Sequence, residues 1–114
     1  MLTQEIKSII EGDVEDSPET LNQYATDASI FYVEPSLVVF PKSLQDIKKL
    51  VKFASEEKKK GRDISLTARS AGTDMTGGPL TESVVVVFTR YLNRLLEIGE
   101  DYAVVEPGMY YRDF

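Results

Sequence analysis

The chain of 114 residues contains no cysteine and no histidine. Without cysteine there is no disulfide, no thiolate nucleophile and no sulfur-ligated zinc site. Without histidine the commonest general base and metal ligand is missing. Positive charge is in deficit: 13 Lys and Arg stand against 19 Asp and Glu, a formal net charge of −6. That balance argues against non-specific binding to nucleic acid or anionic membranes, both of which attract basic surfaces. No run approaches the ~18 apolar residues of a membrane span. The N-terminal "MLTQEIKSIIEG" also lacks the apolar run of a secretory signal. The location expected is cytoplasmic, or peripheral to the inner membrane. The sequence shows no internal repeat, no low-complexity segment and no paired carboxylates marking acid–base work. What remains, 42% hydrophobic and 28% charged, is the composition of a soluble globular domain or a piece of one.

Leu2, Ile6, Ile9 and Ile10 share a helical face that Gly12 can end. Ser17-Pro18 reads as an N-cap with proline in the first turn of a helix over 18–24, carrying Leu21 and Tyr24 inward. Residues 25–36 have no period and form a loop, with Phe31 and Tyr32 as its anchors. "LVVF" at 37–40 is a buried strand closed by Pro41. Ser43 then caps a helix, with Asp46 as the capping-box partner and Leu44, Ile47, Leu50, Val51 and Ala54 as the apolar stripe. Lys58, Lys59, Lys60 and Arg62 complement the dipole at its C-terminal end. Strands follow at 64–68 and 84–88, the latter apolar on both faces as a central strand should be. The strand–helix–strand order over 37–68 implies parallel pairing. Runs at 94–98 and 102–106, joined through Gly99-Glu100-Asp101, predict a β-hairpin, and a helix can start after Gly108. The class expected is α+β: a small parallel sheet flanked by helices, plus a C-terminal hairpin.

Between two of these strands lies "TARSAGTDMTGGPLTES", residues 67–83. Glycine opens positive φ to the backbone and lets a ligand approach the main chain. Successive amides in such a turn form a nest that binds anions without a cationic side chain. Gly72, Gly77 and Gly78, with the hydroxyls of Thr73 and Thr76, therefore suit 70–78 to a phosphate or diphosphate. Two familiar phosphate loops do not fit. Gly72 and Gly77 have P-loop spacing, but Gly78-Pro79 stands where lysine and Ser/Thr belong. A dinucleotide fingerprint must open a helix, and here a strand follows. From residue types alone, an ordinary glycine-rich connection fits equally well.

The order "LVVFPKSLQDIKKLVKFA", "RSAGTDMTGG", "VVVVFTRYLNRLLEIG", "AVVEPG" resembles the PCMH-type FAD-binding domain of the FAD-linked oxidase superfamily, of vanillyl-alcohol oxidase, D-lactate dehydrogenase and glycolate oxidase type. The resemblance runs from about Tyr24 to the C-terminus. It implies two α+β lobes with FAD between them, the first at about 1–90 and the second beginning at about 91–114. It assigns the FAD pyrophosphate to Ser70, Ala71, Gly72, Thr73, Asp74, Gly77 and Gly78, and places Pro41, Pro107 and Gly108 beside the cofactor. For Pro41 and for Pro107-Gly108, a plain strand terminator fits as well. Arg69 is expected to order the loop from behind, and Gly72→Val to abolish flavin retention by entering the cofactor's space. Members that attach FAD covalently use the histidine of "RSGGH", where this chain has Thr73, so the FAD implied is non-covalent. A carboxylate beside a diphosphate costs energy unless it points away or meets a cation, so the amide of Asp74 is the expected contact. Asp27 in "YATDASIF" is a turn residue, and the tyrosines pack.

The function implied is the FAD-binding part of a flavin-dependent oxidoreductase. Its substrate would be a small 2-hydroxy acid such as D-lactate or glycolate, oxidised by hydride transfer to flavin. The family's domain is roughly twice this length, above the common ~100–150 residues, so the chain is expected to be an N-terminal fragment. Alone it should have no turnover, bind FAD weakly or not at all, and self-associate through the surface meant for the second lobe. A non-catalytic interaction or assembly subunit that kept the fold without FAD is the alternative.

Overall fold

Two apolar tetrapeptides build the centre of the computed structural model, which describes residues 2–113. "LVVF" forms β2 (Leu37–Phe40) and "VVVV" forms β4 (Val84–Val87), and all eight positions are buried. Because side chains alternate across a strand, each tetrapeptide serves both faces of the sheet. Leu37, Val39, Val84 and Val86 pack with Ile6, Ile10, Val14, Leu50 and Ile64 on one face. Val38, Phe40, Val85 and Val87 pack under Leu21, Tyr24 and Tyr91 on the other.

Four strands make this sheet, with β1 (Asp13–Glu15) at one edge, then β2, β4 and β3 (Leu66–Arg69). β2 and β3 are parallel as expected, but they do not pair with each other; each pairs with β4, which lies between them. The sequence does not announce β1. It runs antiparallel to β2, with Val14 opposite Val39. Its two acids are held by Arg90, which donates to Asp13 at 3.0 Å and Glu15 at 2.6 Å.

α1 (Leu2–Lys7) ends before the expected Gly12, although Ile6 and Ile10 both reach the core. α2 (Pro18–Gln23) starts where its cap predicts, the Ser17 hydroxyl accepting from the Thr20 amide. α3 (Leu44–Lys59) is capped by Ser43, which accepts from the Asp46 amide. The carboxylate of Asp46 does not return to Ser43 as a capping box would. It accepts from the amides of Lys42, Glu11 and Gly12, each at 2.9 Å, and so pins the α1–β1 turn to the start of α3. Of the expected stripe, Leu50 is buried, whereas Leu44 and Val51 are exposed. Ala54 packs against the core as expected, and Phe53 joins it in place of Leu44 and Val51, since positions 44 and 51 lie two turns apart on the flank facing away from the sheet.

β5 (Leu95–Ile98) and β6 (Ala103–Val105) form the predicted hairpin as a separate antiparallel sheet, with a register shift between Leu95 and Glu97. Phe31 and Tyr32 do not anchor their loop in the core; both are exposed, and Ala25 is buried there instead. After Gly108 comes a 3-10 turn, Tyr111–Asp113, in place of the expected helix. Among the described residues no helix is long and apolar enough to cross a membrane, and no cluster of acids could hold a metal.

Candidate functional site

β2, β4 and β3 are parallel, so their carboxyl ends lie at one edge of the sheet, where open parallel sheets bind ligands. β3 ends at Arg69 and releases the chain into the 70–78 loop at that edge. Gly72 turns it with φ +72° and Gly77 with φ +82°, both in the region that favours glycine. The Ala28 amide donates to the Asp74 carbonyl at 2.9 Å and ties the loop to the segment after α2. In that segment the Asp27 carboxyl is held below the ordinary carboxylate range, chiefly by hydrogen bonding from Ser29. Among the described residues, no protein acceptor takes the amide of Ala71, Gly72, Thr73 or Asp74.

This stretch forms one wall of a cleft of about 640 Å³, whose other wall is Met109, Tyr110, Tyr111 and Arg112. The walls are joined by Ser70, whose Oγ donates to the Pro107 carbonyl at 2.8 Å. Gly108 lines an adjoining recess of about 350 Å³ with Thr89, Asn93 and Met109. Its amide donates to the Leu92 carbonyl at 2.7 Å. A Cβ there would meet the main chain of Phe88 and Leu92, so a side chain would drive the second wall off the sheet.

Of the ten residues expected at the site, Ser70, Ala71, Gly72, Thr73 and Asp74 line the cleft together. Pro107 and Gly108 border it. Pro41 is fully buried at the end of β2, against Gly12, and does not line it. Gly77 and Gly78 lie outside it as well: Gly77 faces the Phe31 ring, and Gly78 faces the Asp74 carboxylate at 3.2 Å from where its Cβ would stand. Asp74 thus turns its charge back toward its own loop.

Arg69 lies behind the loop. Its Nη1 donates to the Tyr24 carbonyl at 3.4 Å, and its Cζ stands 5.1 Å from the Tyr24 ring centroid. Burial raises the pKa of the Tyr24 phenol. The reason expected for the intolerance of Gly72 is corrected by this packing. A Cβ on Gly72 would stand 2.8 Å from Arg69 Cζ and closer still to Nη2, so the neighbour it first meets is the arginine. Sequence reasoning missed the second wall. The usable signal was the Pro107-Gly108 turn, which returns the chain to the sheet edge and presents whatever follows it.

The elements define an α+β domain with an open-amide loop at the carboxyl edge of a parallel sheet. The chain matches the FAD binding domain family over residues 35–114 and belongs to that family. It is 32% identical over 100 residues to D-2-hydroxyglutarate dehydrogenase of Escherichia coli (strain K12), covering 86% of this chain and 10% of that protein. It is 31% identical over 113 residues to D-2-hydroxyglutarate dehydrogenase of Stutzerimonas stutzeri (strain A1501), covering 95% and 23%. Among solved structures, 4-ethylphenol oxidase from Gulosibacter chungangensis superposes with a TM-score of 0.72 at 29% identity, over 94% of this chain and 21% of that one. Alkyldihydroxyacetonephosphate synthase superposes at 0.74 with 18% identity, over 93% and 22%, a likeness of fold alone. The chain spans between 10% and 23% of the length of these two dehydrogenases.

Proposed function

We propose that this chain supplies the diphosphate-binding wall of an FAD site in a longer flavoprotein that oxidises a small 2-hydroxy acid. The observation that carries the reading is the run of four amides, Ala71 to Asp74, that have no protein acceptor among the described residues and belong to a stretch lining a cleft at the carboxyl edge of the parallel sheet. The residues present fit such a group. Gly72 opens the backbone at positive φ, Asp74 turns its carboxylate aside, and Thr73 offers a hydroxyl but no means of covalent attachment. The cleft of about 640 Å³ lies within the ~300–1,000 Å³ usual for small-molecule sites.

When bound, the flavin supplies the two-electron redox chemistry. The part of this chain is to bind and orient it. Amides of 71–74 hold the diphosphate, and the Ser70–Pro107 bond sets the separation of the two walls. We read the four-stranded sheet as the first lobe, about 1–90, and the hairpin as the start of the second, about 91–114. The substrate class rests on the D-2-hydroxyglutarate dehydrogenases among the relatives. Substrate-positioning residues are assigned to the remainder of the longer protein, and the chain alone is expected to have no turnover.

The test uses the whole flavoprotein. Denaturation should release intact FAD into solution. Anaerobic addition of D-2-hydroxyglutarate, D-lactate or glycolate should bleach the flavin band at about 450 nm. Protein that purifies colourless and releases no FAD would refute the reading and favour an assembly subunit.

A further inference from the structure

Two arginines flank one aromatic pair at the sheet edge, and their charges are treated differently. Phe40 and Tyr24 pack edge to face with ring centroids 5.8 Å apart. Arg90 lies over Phe40, its Cζ 3.6 Å from the centroid, and is neutralised by Asp13 and Glu15. Arg69 lies over Tyr24, half-buried, and among the described residues no carboxylate comes within 4.0 Å of it. Its hydrogen bond to the Tyr24 carbonyl, at 3.4 Å, is long. A half-buried cation without a counter-charge is costly, and a bound anion offsets that cost. The guanidinium packs against Gly72, one of the four residues with open amides: a notional Cβ there would stand 2.8 Å from Arg69 Cζ.

We propose that Arg69 is the positioning residue of the anion site: its guanidinium fixes Gly72 from behind and supplies the uncompensated positive charge that an oxyanion on the 71–74 amides neutralises. The ligand class is a diphosphate, and the proposal rests on the FAD reading above. It does not require Arg69 to touch the ligand. The loop amides make the contacts, and the arginine sets their direction and the local potential.

The experiment titrates the whole apoprotein with ADP, which carries the diphosphate without the flavin, by calorimetry at salt concentrations between roughly 50 and 500 mM. Wild type should lose affinity as salt rises. Arg69→Gln should bind ADP on the order of tenfold more weakly at low salt, with a flatter salt dependence. Arg69→Lys keeps the charge but loses the fork and the stacking, so it should keep the salt slope with affinity reduced a few-fold. A glutamine variant with wild-type affinity and slope overturns the proposal. So does one that loses affinity at an unchanged slope, because a merely structural arginine behaves that way. Should Arg69→Gln fail to fold, a lysine variant with wild-type affinity overturns the positioning role by itself. Gly72→Ala separates the two ideas. If it loses ADP while Arg69→Gln does not, the loop binds the anion and Arg69 is inert. If neither variant loses ADP, the FAD reading itself fails.

Discussion

Replacing Gly72 by alanine adds one methyl group, and its cost divides into separable parts. Gly72 has φ +72°, where an L-residue costs roughly 1–2 kcal/mol. The new Cβ would stand 2.8 Å from Arg69 Cζ and Nε, well inside contact distance, so the guanidinium must move. Moving it gives up the hydrogen bond to the Tyr24 carbonyl, worth about 0.5–1 kcal/mol at this length. It also gives up the contact with the Tyr24 ring, about 0.5–1 kcal/mol at a half-exposed site. The sum is roughly 2–4 kcal/mol against the observed loop conformation. If only that conformation binds, the apparent affinity for FAD falls by roughly 30- to 1,000-fold.

The assay is fluorescence titration of the apoprotein with FAD, paired with urea unfolding to separate loop strain from global destabilisation. Two companions sharpen it. Asparagine tolerates the left-handed region, so Gly72→Asn removes much of the φ cost but still displaces Arg69; it should recover no more than about 1 kcal/mol relative to alanine. Gly61 also has positive φ, +90°, but nothing lies within 4 Å of its notional Cβ. Gly61→Ala should cost about 1–2 kcal/mol of stability and leave FAD affinity unchanged. A Gly72→Ala protein that binds FAD like wild type refutes the reasoning, because both the strain and the clash would then be absent.

Asp46 accepts from the amides of Lys42, Glu11 and Gly12, and it is 1% exposed. An asparagine side chain offers a single acceptor oxygen for those three donors, so Asp46→Asn should cost about 2–4 kcal/mol in urea unfolding. The pKa of Asp13 is lowered, first by the Tyr91 hydroxyl and then by Arg90. Its stabilisation is therefore complete above the ordinary carboxylate pKa and is lost as pH falls through the lowered folded value. Tyr91→Phe should shrink the acid-side loss of stability below about pH 4, by less than about 1 kcal/mol because the Asp13 side chain is 38% exposed and screened; urea unfolding across pH reads it, and an unchanged acid limb would count against it. Leu96, Ile98, Val104 and Val105 of the hairpin are exposed, and a lone two-stranded sheet is marginal in water. The chain by itself should therefore self-associate through the hairpin, as light scattering over a concentration series would show, and a monomer throughout would contradict it.

The central strands are legible because their physics is local. "LVVF" and "VVVV" have no polar position, so they fit only strands buried on both faces, and Ser17 and Ser43 announce their helices through the amides they accept from. β1 is not legible for the opposite reason. "DVE" offers one apolar side chain between two acids, and nothing local favours a strand. It is extended because β2 presents an open edge and Arg90, far along the chain, neutralises both carboxylates. The exposure of Leu44 and Val51 follows the same logic, since a helical stripe fixes which residues align but the sheet decides which flank it covers.

The site divides along the same line. The 70–74 wall is readable because glycine and small hydroxyl residues between strands limit what the backbone can do. The opposite wall, Tyr110 to Arg112, has no such signature, and its place depends on Gly108 packing against the Phe88 and Leu92 carbonyls. Arg69 shows why a loop motif read alone misleads. The sequence shows an arginine three residues before a glycine, and the natural inference is that a substituted glycine would clash with the ligand. The fold turns the glycine's vacant side toward that arginine, so the vacancy is filled from within. Among the described residues the amides of 71–74 have no protein acceptor, and a guanidinium packs against the glycine in their midst. An anion site of this kind is specified by what stands at the back of the loop as much as by the residues that line its front.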